Sequence, residues 1–181
     1  MIKKNITQIK ELVPVYQILF HNNDEICIVT SNDYLISTLK FLKMHVNFQY
    51  KMLTCISGVD FLGLKYRFCV AYDLLSFFNN SRIRIKIYVN EVTFVKSIVG
   101  LFHSANWWER EVWDMYGVYF QSHPDLRRIL TDYGFDGYPL RKDFPLSGYV
   151  ELRYDNVKKR VVMEPVQLAQ EFRLFNHEIQ W

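Results

Sequence analysis

Apolar residues recur at helical spacing at the start of the chain. Ile2, Ile6, Ile9 and Val13, with Leu12 beside it, form one stripe, and Pro14 ends the pattern. The spacing predicts a short N-terminal helix. Val15 to His21 and Glu25 to Thr30 are β-rich runs on either side of Asn22-Asn23-Asp24, which is a hairpin signal. Ser31 or Asn32 can cap a helix that runs to about His45, with Leu35, Leu39 and Leu42 on one face.

The clearest alternation follows. In Tyr66 to Phe77, Phe68, Val70, Tyr72 and Leu74 share a face; Asn79-Asn80-Ser81 turns the chain; in Arg82 to Asn90, Ile83, Ile85, Ile87 and Val89 point one way and Arg82, Arg84 and Lys86 the other. This pattern predicts an antiparallel hairpin whose isoleucine face meets helices. Its basic face is a solvated surface or an edge guard. Val92 to Phe102 is a helix candidate. Ser104 can cap another helix that ends at Tyr116, stopped by Gly117. Beyond it Pro124, Gly134, Gly137, Pro139, Pro145 and Gly148 punctuate an irregular segment. Glu151 to Asp155 and Arg160 to Met163 read as a last hairpin around Asn156, and Pro165 to Trp181 as a helix or an extended arm.

Composition narrows the function classes. A net charge of +3 is too small to imply a nucleic-acid binder. Cys27, Cys55 and Cys69 are widely spaced and form no CxxC pair, so a zinc or iron–sulfur ligand set is not expected and free thiols are the plainer reading. No apolar run approaches the ~20 residues of a membrane span. The start lacks both a hydrophobic signal core and the arginines of a mitochondrial presequence, so a mitochondrial chain would be made in the organelle or have lost its leader. Aromatic residues make up 17% of the chain; they serve either an aromatic-rich core or rings that face a partner.

The stretch Trp107 to Pro145 concentrates the chemistry. On a helix from Asn106 to Tyr116, Trp108, Val112, Met115 and Tyr116 make an apolar stripe. Glu111 falls at its margin, while Glu109, Arg110 and Asp114 lie around the other side. Arg110 and Asp114 are spaced for a surface pair. A carboxylate beside large apolar groups loses hydration, so Glu111 is expected to be partly buried and paired to Arg127, Arg128, Arg141 or Lys142. His123-Pro124-Asp125 suggests a turn histidine bonded to backbone rather than a general base. Gly134 and Gly137 lack the GxGxxG spacing of a phosphate cradle and more plainly permit positive φ in tight turns. Arg141-Lys142-Asp143, between Pro139 and Pro145, can lie extended along another protein.

Each piece alone is bland; their order is specific. Glu109-Arg110-Glu111, Asp114, two large apolar residues, His123, Arg127 and Ile129-Leu130 are followed by Gly134-Phe135, Gly137 and Pro139-Leu140-Arg141-Lys142-Asp143-Phe144-Pro145. This order resembles the signature of the thirty-kilodalton hydrophilic subunit family of respiratory complex I, of the mitochondrial and proteobacterial type. Trp108, Gly117, Pro124 and Arg128 lie in the same stretch. Glu164-Pro165-Val166 and Gln170-Glu171-Phe172-Arg173 resemble the family's ending, which the shorter plastid relative lacks. Ser122 departs from it, standing where the family usually has glycine before the histidine, and His177 to Trp181 replaces a Ser-Pro-Trp close.

The resemblance implies an α+β fold: a two-layer domain with a mixed, largely antiparallel sheet packed on helices, over residues 1–125, and an extended docking arm over 126–181. It implies a non-catalytic core subunit in the peripheral arm of the proton-pumping NADH:ubiquinone oxidoreductase, with the arm docked on the large subunit that helps build the quinone pocket. NADH, FMN, iron–sulfur clusters and ubiquinone would belong to other subunits, and the signature residues would serve the interface. The place implied is the matrix side of the mitochondrial inner membrane, or the cytoplasmic side of a bacterial one, with membrane association only through the complex. Three other readings stay open. One is the equivalent subunit of a membrane-bound hydrogenase. Another is an RNA-binding module using Arg82, Arg84 and Lys86. The last is a hydrolase using Glu111 and His123.

Overall fold

A computed structural model describes residues 9, 11–21, 25–173 and 175. The chain divides into two compact units, Met1–Lys142 and Asp143–Trp181. In the first, strands β1 (Gln17–His21), β2 (Glu25–Val29), β3 (Met52–Asp60), β4 (Phe68–Ser76) and β5 (Ser81–Val89) form one sheet in the order β1-β2-β5-β4-β3. Every neighbouring pair is antiparallel except β2 with β5, so the sheet is mixed and largely antiparallel as expected.

The alternation read from β4 and β5 holds. Phe68, Val70, Tyr72 and Leu74 pack in the core with Ile83, Ile85, Ile87 and Val89, while Arg82, Arg84 and Lys86 are exposed or partly exposed. Arg84 binds Asp73 of β4 through two bonds of 2.6 and 2.9 Å. Because β5 is a central strand, its basic face is a solvated face and not an edge guard. Helix α1 (Leu35–Met44) buries Leu35, Leu39 and Leu42 on one face. Neither Ser31 nor Asn32 caps it. The residue before its first turn is Tyr34, with no side-chain cap, and the Asn32 amide is drawn away to the Phe94 carbonyl at 2.7 Å. Most of the expected N-terminal helix, and the Asn22-Asn23-Asp24 turn, lie outside the described residues; Ile9 and Val13 belong to the core.

Strand β3 is the element that sequence periodicity did not reveal. Its register against β4 shifts between Leu53 and Cys55. That irregularity puts Leu53 and Ile56 on the same buried side although they differ in parity, so no clean alternation exists to be read.

The helix expected over Val92 to Phe102 does not form. The Asn90 carboxamide oxygen accepts the amides of Val92 and Thr93 at 3.2 and 2.7 Å, a local turn that competes with helix. Strand β6 (Val95–Lys96) then pairs in parallel with β7 (Phe120–Gln121). Between those two strands lies helix α2 (Ala105–Tyr116), flanked by Ser104 and Gly117 as expected, although the Ser104 side chain makes no cap bond. α2 crosses β3 at Gly58, where an added Cβ would come within 2.5 Å of the Tyr116 ring.

The first unit continues past the boundary expected at residue 125. Residues 126–142 are tied by hydrogen bonds to α2 and to Asp60 of β3. The second unit contains the expected last hairpin, β8 (Val150–Asp155) with β9 (Arg160–Pro165). Arg153 and Glu164 join its strands through bonds of 2.9 and 2.6 Å. Phe144 meets Tyr149 edge to face at 5.3 Å between ring centres. Of the two forms considered for the tail, the described residues 166–173 adopt no helix and run irregularly.

Candidate functional site

The site is built around α2, and its charges are arranged differently from the sequence expectation. The buried face of α2 carries Ala105, Val112 and Met115, but also Glu109, Arg110 and Asp114. Trp108 and Tyr116 are only partly buried. The helix therefore uses its charged positions as anchors.

Asp114 has no solvent-exposed side chain. Its Oδ2 accepts the backbone amides of Ile129, Leu130 and Thr131 at 3.1, 2.7 and 2.9 Å. Its Oδ1 accepts the Thr131 hydroxyl at 2.6 Å, and Arg128 approaches to 3.3 Å. Burial pushes this carboxyl up, but the bonds from Thr131, Leu130 and Ile129 outweigh it, and the net shift is downward. Arg110 does the complementary work. Its guanidinium donates to the carbonyls of Arg127 and Arg128 at 3.1 and 3.5 Å and lies over the Trp107 ring. The expected surface pair between Arg110 and Asp114 is replaced by two separate grips, one on amides and one on carbonyls. The partner predicted for Glu111 goes to Asp114 instead: the more deeply set carboxylate, with three amides aligned on it, wins Arg128. Glu111 stays partly exposed on the flank of α2, without an ion-pair partner among the described residues.

A second set of contacts holds residues 133–142. Arg128 donates to the Gly137 carbonyl at 2.9 Å and faces the rings of Tyr138 and Phe135. Arg141 donates to the Tyr116 carbonyl at 2.7 Å and stacks between Tyr138 and Phe68. Gly134 and Gly137 take positive φ, as the turn reading requires. Gly117 is left-handed at φ +76°, and a Cβ there would come 2.6 Å from Tyr138. The Lys142 amide donates to Asp60 at 2.9 Å. Asp60 in turn takes Arg67 in a two-bond pair at 2.8 and 2.9 Å; that bonding first, then the Lys142 amide, against the opposing effect of burial, holds its carboxyl below the usual range. Asp60 and Arg67 were not singled out from sequence, because β3 itself gave no periodic signal.

His123 is a turn histidine bonded to backbone, as read. Its Nδ1 accepts the Asp125 amide at 3.1 Å, which leaves Nε2 to donate to the Asn106 carbonyl at 3.1 Å. Glu109 Oε2 lies 3.8 Å from that nitrogen, and neither side chain reaches solvent. Glu109 accepts the Ile98 amide and the Ser97 hydroxyl, both at 2.7 Å. Burial dominates these bonds and raises its carboxyl to about 7. Both groups are sealed and committed to backbone, an arrangement that fixes a loop and offers no substrate access. Pro124, Arg127 and Leu130 lie toward solvent on the same segment, Arg127 paired to Asp125 at 2.9 Å. Pro139 completes this set in the first unit, while Asp143 and Pro145 belong to the second.

Among the described residues no group of three or more His, Cys, Asp or Glu side chains lies together as a metal site, and the three cysteines are free. What the geometry provides is an irregular segment pinned rigidly along one helix.

Comparison with known proteins agrees with the sequence pattern. Residues 28–150 match the family described as the respiratory-chain NADH dehydrogenase 30 kDa subunit. The chain is 59% identical over 152 residues to NADH dehydrogenase (ubiquinone) iron-sulfur protein 3 of Beta trigyna, covering 84% of this chain and 79% of that one. The protein of the same name from Arabidopsis thaliana is also 59% identical over 152 residues, with 84% and 80% covered. A chain of an archaeal respiratory membrane complex, the membrane-bound sulfane sulfur reductase, shares the fold with a TM-score of 0.69 over 80% of this chain and 85% of that one, at 21% identity. The family match spans β3, β4, β5, α2 and the whole clamped segment, and the chain belongs to the 30 kDa subunit family of the respiratory-chain NADH dehydrogenase.

Proposed function

We propose that this subunit of NADH:ubiquinone oxidoreductase is a non-catalytic structural piece that docks the large quinone-pocket subunit through its C-terminal arm. It binds no cluster, flavin or nucleotide of its own, and it works on the matrix side of the mitochondrial inner membrane, held there by its partners. No helix among the described residues is long and apolar enough to cross a membrane.

The observation that carries the reading is the surface of the second unit. Leu146, Tyr149, Leu152, Tyr154, Val161 and Phe172 are each more than half exposed, on a unit whose regular structure is one two-stranded hairpin. A hairpin alone is marginally stable in water. Rings and aliphatic chains left bare in this number fit a surface that is covered in the assembly. The test removes residues 143–181 in cells whose own copy is deleted. The expected result is a first unit that folds, shown by near-ultraviolet circular dichroism, but does not enter the complex, with NADH-driven quinone reduction falling at least tenfold. Normal assembly and activity of the truncated chain would overturn the reading.

A further inference from the structure

A groove of about 300 Å³ runs between α2 and the clamped segment, lined by Trp107, Trp108, Glu111, Ile129 and Leu130. We infer that it receives an apolar side chain from a neighbouring subunit of the complex, with a lysine or arginine beside it that pairs with Glu111. The inference rests on the chain's place in a multisubunit enzyme and deepens it by naming a second contact outside the arm.

Three observations lead there. Trp107 is 69% exposed and Leu130 61% exposed, so two large apolar side chains stand open on one patch. They do not stand open through looseness. Asp114 holds the amides of Ile129, Leu130 and Thr131, and Arg110 holds the carbonyls of Arg127 and Arg128. Two buried charges thus grip the backbone from beneath, and the side chains of Ile129 and Leu130 are presented outward on a rigid support. A support ordered in advance loses little freedom on binding, which favours a hot spot.

Charge identifies the occupant. Glu111 is the only ionisable group lining the groove, and it has no ion-pair partner among the described residues. A second copy meeting this chain across a two-fold axis would have to offer a cation from the same patch. Arg110 is committed to carbonyls, Arg128 to Asp114 and the Gly137 carbonyl, and Arg127 to Asp125. Among the described residues the patch thus holds no unpaired cation for such a two-fold contact, and the cation is assigned to a different chain. An anionic lipid surface is disfavoured by the same carboxylate.

The experiment places a photo-reactive phenylalanine derivative at position 130 of the full chain in the assembled complex. The expected product is a cross-link to another subunit, at a segment with an apolar residue and a lysine or arginine within a few positions. Leu130→Asp should lower the assembled fraction at least tenfold while the isolated full chain keeps its melting temperature, and Glu111→Lys should lower it several-fold. Reversing the charge of the cross-linked cation should restore assembly of Glu111→Lys. Val92→Asp, at a residue 91% exposed elsewhere, should assemble normally. Cross-links only within this chain, to a second copy or to lipid would overturn the inference, as would normal assembly of both groove variants. Removal of residues 143–181 leaves the groove intact, so a truncated chain that assembles while the groove variants fail would reject the arm and keep the groove.

Discussion

At the scale of single residues, Glu109, Arg110 and Asp114 are charges buried on α2 and held by groups from outside the helix. Helical spacing alone assigned Glu109, Arg110 and Asp114 to a wet face because it scores them as polar; their burial depends on backbone groups from residues 97–98 and 127–131 that no spacing rule brings near. Glu109 has a measurable consequence. Its carboxyl is raised by burial to about 7, so between its unfolded value and that point the folded chain holds a proton that the unfolded chain has released. Stability contributed at this site is full at acidic pH and falls as pH rises toward 7, by roughly 3 kcal/mol in all. Asp60 and Asp114, both lowered, act in the opposite sense and lose their contribution only as pH falls below the ordinary carboxylate range. Glu109→Gln keeps the shape without the titration. Urea unfolding across pH 5 to 8 should show a flatter profile for this variant and greater stability than the parent at pH 8. A second prediction concerns Ser122. Its φ of 65° is left-handed, a strained conformation for a residue with a Cβ. Ser122→Gly should stabilise the chain by about 0.5–1 kcal/mol after the greater freedom of glycine in the unfolded state is counted. Thermal melts would register this as a higher midpoint.

At the scale of elements, legibility followed the regularity of burial. The β4–β5 hairpin was readable because one face is sealed along its whole length and β5 alternates cleanly against it, although Cys69 and Ala71 of β4 are buried on the opposite face too. Ile85, fully buried in the middle of β5, is the sharpest test of that reading. Ile85→Asp would place an unpaired charge in the core, should cost several kcal/mol, and should leave little folded protein by circular dichroism. β3 was hidden by its change of register, and the segment after Val92 was misread because an apolar run carries no mark of the asparagine turn that diverts it. The β8–β9 hairpin was found from its turn and its short β-rich runs, although neither of its faces is buried within its own unit.

For the whole molecule, the order of residues 109–145 carried the family assignment, while composition and charge only narrowed the field. The relatives' name includes iron–sulfur, yet the chain's own thiols are dispersed: Cys27 lies on β2, Cys55 on β3 and Cys69 on β4. Purified on its own, the chain should contain less than stoichiometric iron by elemental analysis and show no visible absorption; a full cluster held by this chain alone would contradict that. The parallel pairing of β2 with β5 sets an order of events during synthesis. β1 and β2 leave the ribosome before α1, β3 and β4, and only then does β5 appear, with Ile83 and Ile85 to sit beside Ile26 and Ile28. At ordinary rates of elongation the wait is on the order of 3–10 s. For that interval the isoleucines of β2 have no neighbour on that side. The nascent N-terminal half is thus the stage at which a chaperone has most to hold, and the closing of that one strand pair joins the first-made hairpin to the rest of the sheet.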